Sequence, residues 1–386
     1  MTSRPRWDIF CQVVDHYGDI GVSWRLARQL RDAHHMDVLL YVDDLDTFHR
    51  LAPGVDPSAD VQFCEGIKVV RWGSDTRFEP PGDVVLDAFG SRAPEPFLEA
   101  MANASPPPVW INLEYLSAET WIEDCHRMTS PHPRLPLVRH FFFPGFSRRT
   151  GGVLEEPGLA RSRLSFLADA GARSACLGHW LASPPDPLHA TVVTLFGYGG
   201  PGVSSLMRAW ADAPEPVCAL VPQGSISLDV QRFLGLGRLD PGSRHFRGAL
   251  EVQSLPFRSQ DDYDRLLWSA DCNFVRGEDS FVRAQWAEHP FVWNIYPQEG
   301  GAHWTKMHAF VDRYGSGLEP DTAQAVRELW RLWNRGETSS AVMGGAWRRF
   351  WSHADDLRAH NAGWAAHLRS LGDLATNLVR FAVERL

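Results

Sequence analysis

The 386 residues predict an α/β protein of two Rossmann-like lobes, on three observations. At about 100–200 residues per domain, the length accommodates two. Short β-rich runs alternate with helical patterns, first in one half of the chain and then again in the other, which indicates βαβ units and parallel sheets. Between the halves stands ASPPDPL, residues 182–188, whose three prolines read as a stiff linker. Two such lobes leave a cleft between them, and ligands of doubly wound sheets sit outside the carboxyl ends of the strands.

In the first half, strands are predicted at Trp7–Val14, Asp37–Val42, Gly66–Arg71, Asp83–Phe89, Pro108–Leu113 and Val138–Phe143. They are nearly continuous apolar runs, as expected for strands covered on both faces. The segment after Gly21 places Val22, Leu26 and Leu30 on one helical stripe. In the second half, strands are predicted at Thr191–Phe196, Val217–Val221, Leu250–Leu255, Asp271–Val275 and Phe291–Ile295. Helices fit Val203–Ala213, Asp261–Ala270, Ser280–Glu288 and Thr322–Asn334, and the chain from His353 to Leu386 is mostly helical. The lobes are thus residues 1–181 and 191–360, with 182–190 as the linker.

Composition excludes several classes. A net charge of −9, from 38 basic and 47 acidic residues, argues against nucleic acid as a partner, which needs clustered Lys and Arg. No apolar run reaches the roughly 18 residues of a membrane span, so no membrane partner is expected. The start, MTSRPRWDIF, has no apolar signal core, and the six scattered cysteines suit free thiols in a reducing cytoplasm. The 16 histidines show no zinc-ligand spacing. The 16 tryptophans read as core and interface residues.

Three segments just after predicted strands carry the chemistry. Asp15-His-Tyr-Gly-Asp-Ile-Gly21 sets two carboxylates, Asp15 and Asp19, on one turn, with Gly18 and Gly21 permitting close backbone approach. A plain reading makes Asp19 a helix cap and Asp15 a turn residue; two carboxylates at a cleft favour function. Gly197, Gly199 and Gly202 literally match G-x-G-x-x-G. The next strand, VCALVPQGS, lacks the acidic ribose ligand of a nicotinamide site, so the loop reads as a phosphate-holding helix start. In Phe274-Val-Arg-Gly-Glu-Asp-Ser280, Arg276 and helix N–H groups form a natural diphosphate site, with Asp279 or Ser280 as the alternative cap. Glu278, repelled by phosphate, then faces a sugar or an acceptor. Asp44-Leu-Asp46 matches a D-x-D metal motif but opens a helix, where acidic residues suit the dipole, so no metal is expected.

Longer blocks carry a resemblance. FCQVVDHYGDIGVSWRLARQL, INLEYLSAETWIEDCH, FFFPGF, LPFRSQDDYDRLLWSADCNFVRGEDSFVRAQWA and FVWNIYPQEGGAHW resemble the bacterial elongation factor P arginine rhamnosyltransferases, from about Trp7 into the C-terminal helices. The resemblance implies a GT-B glycosyltransferase fold, with an N-terminal acceptor lobe, a C-terminal donor lobe and a C-terminal helix, 361–386, that packs back on the first lobe. It implies an inverting, metal-independent transfer with no cofactor, in which dTDP-β-L-rhamnose is the co-substrate and one arginine of elongation factor P the acceptor, activating that factor for ribosomes stalled at polyproline. The family's critical carboxylates fall on Asp15, Asp19 and Glu278. Its nucleotide pocket falls on Phe196, Tyr198, Phe257, Gln260, Arg276, Asp279 and Ser280, with Tyr296 in the last block. The sequence departs from the family's form at His16, Ser23, Asn294 and the Gly199–Gly200 pair.

The chemistry of the residues fits that implication. A guanidinium is charged at physiological pH and a poor nucleophile, so an enzyme must orient it and take its proton, and carboxylates do both. Asp19 is the expected base, with Asp15 orienting and Glu278 holding rhamnose or arginine. Three rivals remain: a GT-B enzyme with another sugar or acceptor, a nicotinamide oxidoreductase, and a non-catalytic nucleotide-sugar-binding protein.

Overall fold

A computed structural model describes residues 4–15, 17–181, 190–336 and 338–386. The predicted linker and His16 lie almost wholly or wholly outside the described residues. The chain forms two compact units, residues 1–159 with 367–386, and residues 160–366.

Among the described residues, the first unit holds eight strands: β1 (Arg6–Cys11), β2 (Asp37–Val42), β3 (Val61–Cys64), β4 (Ile67–Arg71), β5 (Val84–Ala88), β6 (Val109–Leu113), β7 (Thr129–Pro131) and β8 (Val138–Phe142). They are ordered β3-β4-β2-β1-β5-β6-β8-β7. All pairings are parallel except β3 with β4 and β7 with β8, at the two edges. The second unit holds β9 (Thr191–Leu195), β10 (Val217–Pro222), β11 (Arg244–Arg247), β12 (Leu250–Leu255), β13 (Cys272–Arg276) and β14 (Phe291–Asn294), ordered β11-β12-β10-β9-β13-β14. Only the edge pair β11 with β12 is antiparallel. In each sheet the strand order reverses beside the first strand. β1 lies between β2 and β5, and β9 between β10 and β13. A crevice at the carboxyl end of a parallel sheet belongs at that reversal.

The central strands β5, β6, β10 and β13 are buried along their whole length, which is why they read as largely apolar runs, with Asp87, Asn112, Asn273 and Arg276 the polar exceptions. Trp7, Trp24, Trp210, Trp286 and Trp330 are fully buried, so these tryptophans are core. β1 stops three residues short of the predicted Val14. Beyond Cys11 the chain leaves the ladder, and the Gln12 and Val13 amides turn to side chains, the Ser91 hydroxyl at 2.7 Å and the Asp43 carboxylate at 2.9 Å.

The boundary expected at residue 181 moves back to Leu159. The helices Leu159–Ala168 and Ala172–Trp180 are built into the second unit. Arg163 donates to the Ala287 carbonyl at 2.8 Å and pairs with Glu288 at 2.9 Å, a buried cation at a helix C-terminus. Leu177, Trp180 and Leu181 join the core of Val192, Cys218, Leu220, Leu255 and Leu266.

At the other end, the chain re-enters the first unit at His367, not 361. Asp373 caps the last helix, Leu374–Val383, and also accepts from Gln29 Nε2 at 2.7 Å. Asn377 donates to the Gly151 carbonyl at 3.0 Å. Gly152, at φ +79°, faces the Gly372 carbonyl so closely that a Cβ would lie 2.2 Å from it. No helix among the described residues is long and apolar enough to cross a membrane.

Candidate active site

In the first unit the site grows from the turn after β1. Gly18 N donates to the Asp15 carbonyl at 2.7 Å and opens the helix Tyr17–His34. A Cβ on Gly18 would lie 2.7 Å from Asp15 Oδ2, so only glycine lets that carboxylate rest against the helix start. Asp15 is half-buried, and Gly21 is buried within the helix body.

Asp19 is 2% exposed. Its Oδ2 accepts from the Val14 amide at 2.9 Å and the Asp15 amide at 2.8 Å, and the carboxylate also accepts from the Tyr115 hydroxyl. Asp19 is thus not the helix cap of the plain reading: it lies in the first turn of the helix and accepts from two amides that precede it, bonds that fix its orientation. Burial pushes its carboxyl above the usual carboxylate range, and the charge of Asp43 adds to that. The three hydrogen bonds oppose the rise without cancelling it. Asp43, after β2, is itself raised by burial and receives the Val13 amide at 2.9 Å. At the neighbouring strand ends Phe89, after β5, packs on Tyr115, after β6, with ring centroids 5.2 Å apart. Four successive carboxyl strand ends thus converge here.

Asp44 of the D-x-D match is a helix cap. Its Oδ1 accepts from Thr47 N at 2.9 Å and its Oδ2 from the Thr47 hydroxyl at 2.6 Å. Both oxygens serve the helix start.

In the second unit, Arg276 ends β13 and is 5% exposed. Its guanidinium carbon stands 4.8 Å from the Phe196 ring centroid and 4.6 Å from that of Tyr198. Cation–π contacts of this kind hold a guanidinium still. Its Nη1 donates to the Ser225 hydroxyl at 3.3 Å. Ser280 accepts the Arg276 amide at 3.0 Å and returns a bond to the Arg276 carbonyl, so it staples the end of the strand rather than capping the helix. Tyr263, whose hydroxyl burial pushes up, packs its ring on Phe196 with centroids 5.9 Å apart. Gln260, 4% exposed, donates to Asp279 Oδ2 at 3.3 Å. Tyr296, 39% exposed, meets Tyr198 edge-on at 5.4 Å.

Phe257 is half-buried in the turn between β12 and the helix Gln260–Ser269. Glu278 is half-buried at the N-terminus of the helix Asp279–Ala287 and makes no capping bond with its side chain. Beneath these groups Asp264 and Arg283 form a two-pronged ion pair at 2.8 and 2.6 Å, with both residues buried. That pair clamps the helix bearing Gln260 to the helix bearing Asp279.

The glycine loop differs from the expected phosphate cradle. The Gly200 amide, at the start of the helix Pro201–Ala211, is met by the chain's own Asp229 Oδ2 at 2.7 Å. Gly199, at φ +93°, would put a Cβ 2.5 Å from that oxygen. These glycines let the loop close over Asp229.

The structure therefore gathers Asp15, Gly18 and Asp19 in one unit, and Phe196, Tyr198, Gln260, Arg276, Asp279, Ser280 and Tyr296 in the other. Sequence reasoning did not single out Tyr115, although it lies inside INLEYLSAETWIEDCH and directly after β6. Tyr263 and Ser225 were missed too; nothing in their local spacing marks them.

Comparison with known proteins points one way. The family model described as "Elongation-Factor P (EF-P) rhamnosyltransferase EarP" matches residues 7–383. A protein-arginine rhamnosyltransferase of Pseudomonas putida is 47% identical over 98% of both chains. One from Pseudomonas aeruginosa is 43% identical over 98% of this chain and 99% of its own. Among solved structures, one concerning EarP-mediated arginine glycosylation of translation elongation factor EF-P aligns with a TM-score of 0.69 and 36% identity, covering 99% of this chain and 100% of that one. A spinosyn rhamnosyltransferase aligns with a TM-score of 0.52 at 11% identity, over 97% of this chain and 99% of its own, a likeness of fold alone.

Proposed function

The chain belongs to the elongation factor P rhamnosyltransferase family, a GT-B glycosyltransferase family, and from that premise we propose that it moves L-rhamnose from dTDP-β-L-rhamnose to one arginine of elongation factor P, with inversion. The reading is supported most by one contrast. The crevice of the first unit is lined by carboxylates, which suit a cationic guanidinium, and that of the second by a buried arginine between two aromatic rings, which suits a nucleoside diphosphate.

Asp19 is the general base of this reaction. Its carboxyl, raised by burial, gains in basicity while its hydrogen bonds keep it aimed. As an arginine nitrogen attacks the anomeric carbon, the new C–N bond forms and the C–O bond to the diphosphate breaks. The bonding pair leaves on the dTDP phosphate oxygen, and the nitrogen's proton passes to Asp19. The glycosylated guanidinium keeps its positive charge. Asp15 orients the acceptor, and Glu278 holds the sugar or the arginine.

Arg276 and Tyr198 meet the charge that develops on the leaving dTDP, which needs neither metal nor other cofactor. Phe257 stacks on thymine, with Gln260, Asp279, Ser280, Phe196 and Tyr296 completing the pocket. The modified factor then serves ribosomes stalled at polyproline, and the reaction belongs to the cytoplasm.

The test offers the chain elongation factor P with dTDP-rhamnose, or with other nucleotide sugars, under a chelator, and weighs the factor afterwards. A gain of one deoxyhexose from dTDP-rhamnose alone, undiminished by the chelator, is the expected result. A gain from another sugar means a different donor, and dependence on added divalent metal contradicts the metal-free route. Tight dTDP binding without transfer means a binding protein.

A further inference from the structure

Asn294, at the carboxyl end of β14, is 8% exposed and sits in a chain of amides whose polarity is fixed by the backbone. Asn334 Nδ2 donates to two carbonyls, Trp293 at 2.7 Å and Trp330 at 2.9 Å. Its Oδ1 is therefore the acceptor, and it takes the Ile295 amide at 2.9 Å and Asn294 Nδ2 at 3.2 Å. That leaves Asn294 Oδ1 facing the Tyr198 amide, which donates to it at 2.8 Å. The neighbouring Gly197 lies close against this amide, since a Cβ there would come within 3.0 Å of Asn294 Oδ1 and push on it. Tyr198 is the residue whose ring lies against Arg276 on one side and Tyr296 on another.

We propose that Asn294 is a positioning residue, backed by Asn334, that holds Tyr198 in the nucleotide pocket by presenting an acceptor to its amide and a donor to Asn334 at once. This rests on the reading of Tyr198 as part of the dTDP site. Position 294 must offer one donor and one acceptor, pointed oppositely. An ionised aspartate offers no donor; a protonated one does. A neutral imidazole offers one of each; an imidazolium has no acceptor.

The two replacements therefore fail at opposite ends of the pH scale. Asn294→Asp keeps an acceptor for the Tyr198 amide, but as pH rises through its carboxyl's pKa it loses its donor and repels Asn334 Oδ1, so the acceptor that positions Tyr198 shifts. Asn294→His holds Tyr198 while the ring is neutral and releases it as pH falls through the imidazole's pKa. A group that merely filled space would show no such opposition.

The test labels tyrosine with ¹⁵N, assigns the Tyr198 amide by its loss in Tyr198→Phe, and follows it from about pH 3.5 to about pH 8, a span that brackets the ordinary pKa of both a carboxyl and an imidazole. dTDP affinity is measured at both ends. The wild-type amide signal and affinity change little. In Asn294→Asp the amide signal moves and affinity falls about tenfold toward high pH; in Asn294→His both changes run toward low pH. Variants whose Tyr198 amide ignores pH, or moves the same way in both, overturn the proposal. So does an amide that moves while dTDP affinity holds. Failure of the wild-type protein to bind dTDP at either pH contradicts the functional reading instead, and the amide signals still report whether Asn294 holds Tyr198.

Discussion

The crevices of the two units occupy the same place in the same topology and are held together by different means. In the first unit, the carboxylate of Asp19 is fixed mainly by the main chain, through the amides of Val14 and Asp15. In the second, Arg276 and its neighbours are fixed mainly by side chains: aromatic rings on the guanidinium, the Ser280 staple and the Asp264–Arg283 pair beneath. A lone buried anion finds its donors in the backbone of a helix start, whereas a buried cation has to be caged by side chains. The difference teaches that the first crevice is sensitive at one residue and the second at many.

The sharpest way to break that contrast is Asp19→Asn. It should leave dTDP affinity unchanged and lower transfer to elongation factor P by about 10²–10⁴-fold, read by timed mass analysis of the acceptor. Next comes the clamp of the second unit. Arg283→Met removes the two-pronged cationic partner of the buried Asp264, so stability should fall by about 3–5 kcal/mol in denaturant titration, and dTDP affinity with it. Arg276→Ala removes the caged cation and should weaken dTDP binding by about 10–100-fold in calorimetry while the fold stays intact. An Arg276→Ala protein that binds dTDP normally removes the basis for placing the diphosphate there.

The smallest expected effect sharpens the comparison at Tyr115, the one side-chain bond to Asp19 described above. The hydroxyl stabilises the ionised carboxylate, so Tyr115→Phe raises the pKa of Asp19 further. As the base works only when ionised, transfer is lost as pH falls through that pKa. The acidic limb of the rate profile should therefore move to higher pH, with the rate on the alkaline plateau reduced by less than about tenfold. An unmoved limb means that Asp19 is not the titrating base.

The sequence reads well where burial writes the signal and poorly where it does not. The fully buried parallel strands, such as Val84–Ala88 and Val109–Leu113, are nearly continuous apolar runs, broken only by Asp87 and Asn112, and were legible. The three antiparallel edge strands were not. Val61–Cys64, Thr129–Pro131 and Arg244–Arg247 expose alternate or more residues to solvent, and RHFR has no apolar run to find. The lobe boundary was misread for a related reason. The prolines at 184, 185 and 187 suggest a linker by composition, but Leu177, Trp180 and Leu181 show by their packing that the chain had already entered the second unit. Asp15, Asp19 and Arg276 stand out in the sequence as candidates because they lie at or just after strand ends in motifs of charge and glycine, and the structure places them at those ends. Tyr115 follows a strand equally closely, yet a lone tyrosine carries no local pattern, and only the fold reveals that it reaches Asp19.

The central claim is that carboxylates of one unit act on a guanidinium while the other unit holds a nucleotide, without a metal. Its most direct test is to incubate the protein with dTDP-rhamnose and elongation factor P in the presence of a chelator, and to locate the modification in the acceptor by tandem mass spectrometry. The account predicts one deoxyhexose, attached to the side-chain nitrogen of a single arginine. A sugar found on a hydroxyl or on several residues, or an acceptor that stays unmodified until a divalent metal is restored, would contradict it.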